Sequence, residues 1–335
     1  MREVIARRVA FIDLWTRWAF ISFASLAAIP AAVLAQVVPG DSAVQSQWFT
    51  GTLEAPSPAL PKAGILAIEP YVIFTSNTGA YGDGWHHYSV PNDASSFESV
   101  TVLKYALSNR LSVEALPSFA RAWNDDVRSV GFGDLPIELE YRFNDENNHT
   151  GAPSVTAAMG VSLPTGRYEH LNTPLSGFGS GAYTLKEGLL FQSLFDTPNH
   201  HPVRLRFYGA VFESLGSVSV RDVSVYGTAT GFRGRVAPGI TEQIGVGGGY
   251  ALDQRWVLAL DIVGNNTGGF KLHGTALNGT SANVNGSSSS SVSIAPAVEY
   301  NWSGAIGVIA GVELSAAGRN TSSYIAPQIA LSMAF

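Results

Sequence analysis

Seven histidines and no cysteine are this chain's whole stock of ready nucleophile activators and soft metal ligands. His86, His87, His149, His170, His200, His201 and His273 all fall between alternating apolar stretches, and no G-x-S-x-G elbow accompanies them. Without a strand histidine to activate a serine, hydrolytic chemistry is not expected. The doublets His86-His87 and His200-His201 have Asp83 and Asp196 nearby, yet adjacent side chains diverge in extended backbone, which suits solvated loops better than a metal site. The glycine runs at 177–181 and 245–249 lack the following helix that a phosphate loop needs. The expectation is a chain with no catalytic, cofactor-binding or metal-binding residues.

A different chemistry is written at period two. Glu138, Glu140 and Arg142 alternate with Leu139, Tyr141 and Phe143, and Arg204 and Arg206 alternate with Val203, Leu205 and Phe207. Asp261 opposes Leu260 and Ile262, Glu299 opposes Val298 and Tyr300, and Glu313 opposes Val312 and Leu314. Successive strand residues point to opposite faces, so each stretch has one apolar and one charged face. The last stretch, 323–335, alternates Ile329, Leu331, Met333 and Phe335 with Gln328, Ala330, Ser332 and Ala334.

Stepping outward from these residues, twelve such segments are expected: 64–75, 97–107, 111–122, 132–143, 153–164, 182–195, 202–213, 235–251, 255–264, 291–302, 304–315 and 323–335. Charged residues make up only 14% of the chain, against about a quarter in ordinary soluble proteins, and mean hydropathy is +0.13. No apolar run of about 18 residues follows the first 35 positions, which excludes a bundle of membrane helices. Backbone in hydrocarbon must be fully paired, which leaves a closed barrel. The apolar faces then meet lipid, where a mid-bilayer charge costs about 2–4 kcal/mol, and the charged faces line a lumen. Glu187 breaks this parity among Leu185, Leu189 and Phe191, and a bulge at Gly188 is the expected remedy.

Connection lengths supply orientation. Long links (76–96, 123–131, 165–181, 214–234, 265–290 and the shorter 316–322) alternate almost throughout with short ones (108–110, 144–152, 196–201, 252–254, 303), the pattern of external loops and periplasmic turns, and an even strand count returns both termini to the periplasm. Within 214–234, Val218, Val220, Val223 and Val225 read either as more barrel wall or as an external hairpin. Tyr105, Tyr141, Phe143, Tyr250, Trp256, Tyr300, Trp302 and Phe335 cluster by the short turns, as an aromatic girdle would. Arg2, Arg7, Arg8 and Arg17, the apolar run 18–34 and Val33-Leu34-Ala35 predict a signal peptide over 1–35. Residues 36–62 read as a periplasmic leader or a short plug, and 63–335 as the barrel. An acidic chain without basic runs is not expected to bind nucleic acid.

Gly131-Phe132-Gly133-Asp134, Leu163-Pro164-Thr165-Gly166 and Gly177-Phe178-Gly179-Ser180-Gly181, with Glu69-Pro70-Tyr71 and the terminal Phe, resemble the transporter-like outer-membrane family associated with the meta-pathway of phenol degradation. The resemblance spans about 64–335. It implies a Gram-negative barrel loosely related to channels for hydrophobic compounds, without naming a cargo. Phe335 similarly resembles the terminal aromatic of outer-membrane barrels, which implies an assembly signal read by the barrel assembly machinery. The expected class is an all-β, antiparallel, up-and-down transmembrane barrel of about 12 strands in the cell outer membrane, among outer-membrane lipids and lipopolysaccharide. Its expected role is passive passage of small, hydrophobic or aromatic compounds; a non-transporting barrel that displays long loops is the alternative. The expected lumen set is Glu138, Glu140, Arg142, Arg204, Arg206, Asp261, Glu299 and Glu313, whose acids and bases should pair across the bore.

Overall fold

The computed structural model describes residues 47–91, 93–147 and 150–335. The expected signal peptide lies outside them. The strands are β1 (Leu66–Tyr81), β2 (His87–Tyr88), β3 (Ser95–Ser108), β4 (Leu111–Ala115), β5 (Ser118–Trp123), β6 (Arg128–Phe132), β7 (Leu135–Asn144), β8 (Ser154–Leu163), β9 (Thr184–Phe195) and β10 (Val203–Ser214). There follow β11 (Val218–Arg221), β12 (Arg233–Ala237), β13 (Thr241–Ala251), β14 (Trp256–Thr267), β15 (Lys271–Thr275), β16 (Ser281–Asn285), β17 (Ser289–Asn301), β18 (Ile306–Arg319) and β19 (Thr321–Ala334).

These strands build a closed 12-strand antiparallel barrel. Two wall positions are interrupted. β4 and β5 both pair with β3 and form one wall strand broken at Leu116-Pro117, because proline has no amide to donate; β6 and β7 are likewise one strand broken at Gly133-Asp134. Closure comes from β1, which pairs with β19 on one side and β3 on the other. The Phe335 amide donates to the Leu66 carbonyl at 2.9 Å, and the Leu66 amide returns a bond to Phe335 at 3.1 Å.

Alternation decides which way each strand faces. Leu139, Met159, Phe207, Val246, Leu258, Leu260, Ile262, Val298 and Ile329 are exposed around the outside, while Glu138, Glu140, Arg204, Arg206, Asp261 and Glu299 are buried within. The exposed apolar face is continuous around the wall, far beyond what a soluble monomer leaves to water. Trp256 packs edge-on to Tyr300 at 4.7 Å, Tyr300 to Trp302 at 5.3 Å and Tyr141 to Phe143 at 5.3 Å, all beside the short turns.

The structure departs from expectation at two places. The stretch 235–251 is not one strand: Pro238-Gly239 separates β12 from β13, and β12 turns away to pair with β11 and β15. With β16 these form a second, four-stranded sheet drawn from two long loops, so the valines at 218 and 220 lie in a β11–β12 hairpin outside the wall, the second of the two readings, and that hairpin is widened by β15 and β16. Nor does Gly188 lie at a bulge. The ladder runs unshifted through Met159, Glu187 and Val211, so Glu187 stands exposed on the apolar side.

Candidate functional site: a charged bore

Parity fills the bore with two groups of charges. The first lies along one row of the wall, where Lys104, Glu114, Glu138, Gly160 and Lys186 are successive register partners from β3 through β9. Lys104 Nζ reaches Glu114 Oε2 at 2.9 Å and Glu140 Oε2 at 2.8 Å, and Lys186 Nζ reaches Glu138 Oε2 at 2.6 Å. Ser112 Oγ also donates to Glu140, at 3.1 Å. A methyl at Gly160 would stand 2.6 Å from Glu138 Cβ, so the missing side chain is what lets Lys186 reach past β8. The carboxylates of Glu114, Glu138 and Glu140 lie within 4.8 Å of one another, a spacing suited to a cation; Lys104 already supplies one.

The second group crosses the bore. Arg204 Nη2 on β10 meets Glu299 Oε1 on β17 at 2.9 Å, although β13 and β14 lie between them in the wall. Arg206 Nε donates to Gln192 Oε1 at 3.0 Å. Its remaining donors, and most of the other polar groups here, go to residues 47–62.

That segment has no regular structure and runs along the inner face of the barrel, its backbone satisfied by charged side chains. The Thr50 amide donates to Glu299 Oε2 at 2.8 Å, the Glu54 and Ala55 amides donate to Asp261 at 3.1 and 3.3 Å, and Arg206 donates to Ala55 O at 3.1 Å and Ser57 Oγ at 3.0 Å. Thr156 Oγ1 donates to Pro58 O at 2.9 Å, and Gln328 Nε2 to Glu54 Oε1 at 2.6 Å. The Phe49 ring stacks under the Arg204 guanidinium at 4.4 Å. Hydrogen bonds to charged groups are worth about 1.5–3 kcal/mol each, more than a neutral contact, and Leu53 and Ala55 add apolar packing in clusters with Ile309 and Leu190. Room for it comes from inward glycines: a side chain at Gly307 would collide with Thr50 Oγ1, and one at Gly311 would come within 2.6 Å of Leu53 Cδ1.

The eight expected lumen residues are thus divided. Glu138 and Glu140 belong to the wall row, Arg204 and Glu299 pair across the bore, and Arg206 and Asp261 hold the segment. Arg142 sits at the short-turn end, at 3.0 Å from Asp145 and donating to Asn109 O at 2.9 Å. Glu313 accepts from Tyr324 at 2.7 Å and joins neither set of ion pairs. Pairing of Glu138 and Glu140 with the arginines does not occur; Lys104 and Lys186 lie closer along the ladder. Those lysines, with Glu114, Gln192 and Glu54, are absent from the expected set, although Lys104 between Leu103 and Tyr105, and Glu114 between Val113 and Ala115, carry the same parity signal. The histidine doublets do not converge: His87 Nε2 lies 2.9 Å from Ser323 Oγ, and His201 Nδ1 lies 2.8 Å from Ala251 O.

Beyond the segment, toward the long loops, a cavity of about 390 Å3 is lined by small residues such as Ser96, Ser118 and Ala120, by Leu175 and Phe178, and by Glu98. The 164–183 loop forms its roof, with Ser176 Oγ 2.7 Å from Ser129 Oγ and the Asp134 carboxylate accepting from the Gly166 and Ser180 amides at 3.0 and 2.7 Å.

Among solved structures, an outer membrane channel from Pseudomonas putida F1 superposes with a TM-score of 0.61 at 16% identity, over 83% of this chain and 97% of that one. The chain has the fold of that channel. Lesser likenesses are to the transport unit of the autotransporter AIDA-I from Escherichia coli (TM-score 0.47, 12% identity, 85% and 95% coverage) and a TodX monoaromatic hydrocarbon channel mutant (0.46, 10%, 88% and 99%), and neither carries weight here. No protein-family model matches the sequence, and no curated protein matches it.

Proposed function

We propose that the chain is an outer-membrane barrel that passes small, hydrophobic or aromatic compounds, with both termini in the periplasm and residues 47–62 acting as a removable stopper. The observation that carries this reading is the pairing of a continuous apolar exterior with a bore lined by charge, which only a barrel standing in lipid around a polar lumen requires. The name of the Pseudomonas putida F1 protein, an outer membrane channel, supports it. So do the many polar bonds in the stopper's seat, which water can replace, beside the apolar packing of Leu53 and Ala55. The outer cavity, with one carboxylate among small residues, Leu175 and Phe178, suits a small solute with at most a hydroxyl or two. Under this reading 1–35 is a removed signal, Phe335 addresses the assembly machinery, and outer-membrane lipids are the surroundings. The alternative, a scaffold that transports nothing, is favoured by how fully the segment and the ion pairs occupy the bore.

One experiment tests the orientation and a second separates channel from scaffold. Tags at Gly84 and Asn285 should be reached by reagents outside intact cells and one at Asp253 should not; reversed access refutes the orientation. Proteoliposomes carrying the chain without 47–62 should swell in small uncharged aromatics at least several-fold faster than empty liposomes, and equal rates would favour the scaffold.

A further inference from the structure

The second sheet has two unlike faces. Val218, Val220, Val236 and Leu272 are buried against Phe232, Tyr168 and Ala182, so its apolar face is turned toward the 164–183 loop that roofs the bore. The opposite face is turned away from the bore. It carries Arg221, Arg233, Arg235, Lys271 and His273, all exposed, and the four strands contain no aspartate or glutamate. Register sets Arg221 directly opposite Arg233, and Arg235 opposite His273, with Lys271 diagonal to Arg235.

Like charges directly opposite on neighbouring strands are destabilising. Among the described residues none of the four cations has a carboxylate within 4.0 Å, and Asp222 is the acid whose charge Arg233 feels. The acids beside them make their hydrogen bonds to other groups. Glu169 accepts from the Arg221 backbone amide at 2.6 Å, and Asp222 accepts from the Gly231 amide at 2.8 Å and contacts His170 at 2.6 Å. Arg235 alone is anchored, donating to Ser217 Oγ and O at 2.8 Å each. In a chain of net charge −6, this is a concentrated positive face. β12 and β15 lead directly from β13 and β14, whose outward residues Val246, Leu258, Leu260 and Ile262 belong to the apolar exterior. The cations therefore stand just beyond the edge of the lipid-facing belt, at the level of headgroups.

We infer that this face binds the phosphorylated headgroups of the outer-leaflet glycolipid. Guanidinium forks match phosphate oxygens two at a time, and strands about 4.8 Å apart let one phosphate engage Arg221 and Arg233 together. A second phosphate fits between Arg235 and Lys271. This inference rests on reading the barrel as outer-membrane, and the test keeps the two apart.

The full chain and a variant carrying Arg221→Gln, Arg233→Gln and Lys271→Gln are placed in phosphatidylcholine nanodiscs doped with bis-phosphorylated or dephosphorylated lipid A. Retained glycolipid is counted by native mass spectrometry, with folding checked by heat-modifiable mobility. Arg255→Gln, at a short turn, controls for net charge. The native chain and Arg255→Gln should bind the phosphorylated lipid at least tenfold more tightly than the dephosphorylated one, and the triple variant should lose that preference. Inorganic pyrophosphate should compete only weakly. A folded triple variant that binds as well as the native chain, or equal binding of the dephosphorylated lipid, overturns the inference while leaving the barrel reading intact. Pyrophosphate binding as tight as the lipid's overturns the lipid as the source. A chain that will not enter neutral nanodiscs at all sinks the outer-membrane reading itself.

Discussion

Arg204 and Glu299 face each other across the bore at 2.9 Å, and the second oxygen of the same carboxylate takes the Thr50 amide at 2.8 Å. One side chain thus ties the shape of the wall to the seating of the segment inside it. Removing one partner of a buried pair strands the other, at about 3–5 kcal/mol. Arg204→Gln should therefore lower the stability of the refolded barrel in detergent by that order, measured by urea unfolding, and adding Glu299→Gln should recover most of it. A single replacement without loss would mean the pair is hydrated and inconsequential.

Arg206 offers a second handle, since its three donors bind Gln192, Ala55 and Ser57. Replacing Arg204 and Arg206 together by Gln leaves Glu299 and Asp261 without their cations. Reversal potentials across a salt gradient should shift toward cation preference. An unchanged preference in a folded double variant would show that these groups do not border the passage.

Asp222 gives a pH signature outside the wall. The Gly231 amide foremost, and the His170 ring after it, hold its carboxyl below the ordinary aspartate value. A depressed carboxylate contributes its stability above the unfolded value of about 4, and that contribution is lost as pH falls through the folded one. The Gly231 amide resonance should titrate below pH 4 in the native chain and not at all in Asp222→Asn; a midpoint at or above the ordinary value would contradict the contact.

The wall was legible because alternation survives in single residues: Leu139 and Glu140 declare their faces with no partner in view. Partners are another matter. Lys104 meets Glu140 because of how far each strand is staggered against the next, and stagger leaves no mark on a strand's own sequence. β12 merged with β13 for the same reason, since period two runs on while the pairing partner changes at Pro238-Gly239. Residues 47–62, aperiodic and Pro-rich, carry no signal of where they lie; the inward glycines at 307 and 311 that make room for them read only as small strand residues.

Phe335 closes the ring through its two backbone bonds to Leu66 and sits exposed on the apolar side. Deleting it removes those bonds and the terminal aromatic, and outer-membrane levels should fall at least several-fold, with degradation in the periplasm. Normal levels of the shortened chain would refute its role in assembly.

Passage through the bore depends on whether residues 47–62 stop it. A Cβ at Gly307 would lie 3.2 Å from Thr50 Cβ, close to the roughly 3.5–4.5 Å of a disulfide, and the native chain has no cysteine to interfere. Single-channel conductance of Thr50→Cys with Gly307→Cys should be several-fold lower oxidised than reduced, and deletion of 47–62 should match or exceed the reduced level. Equal conductance in both redox states, or none after the deletion, would contradict the claim.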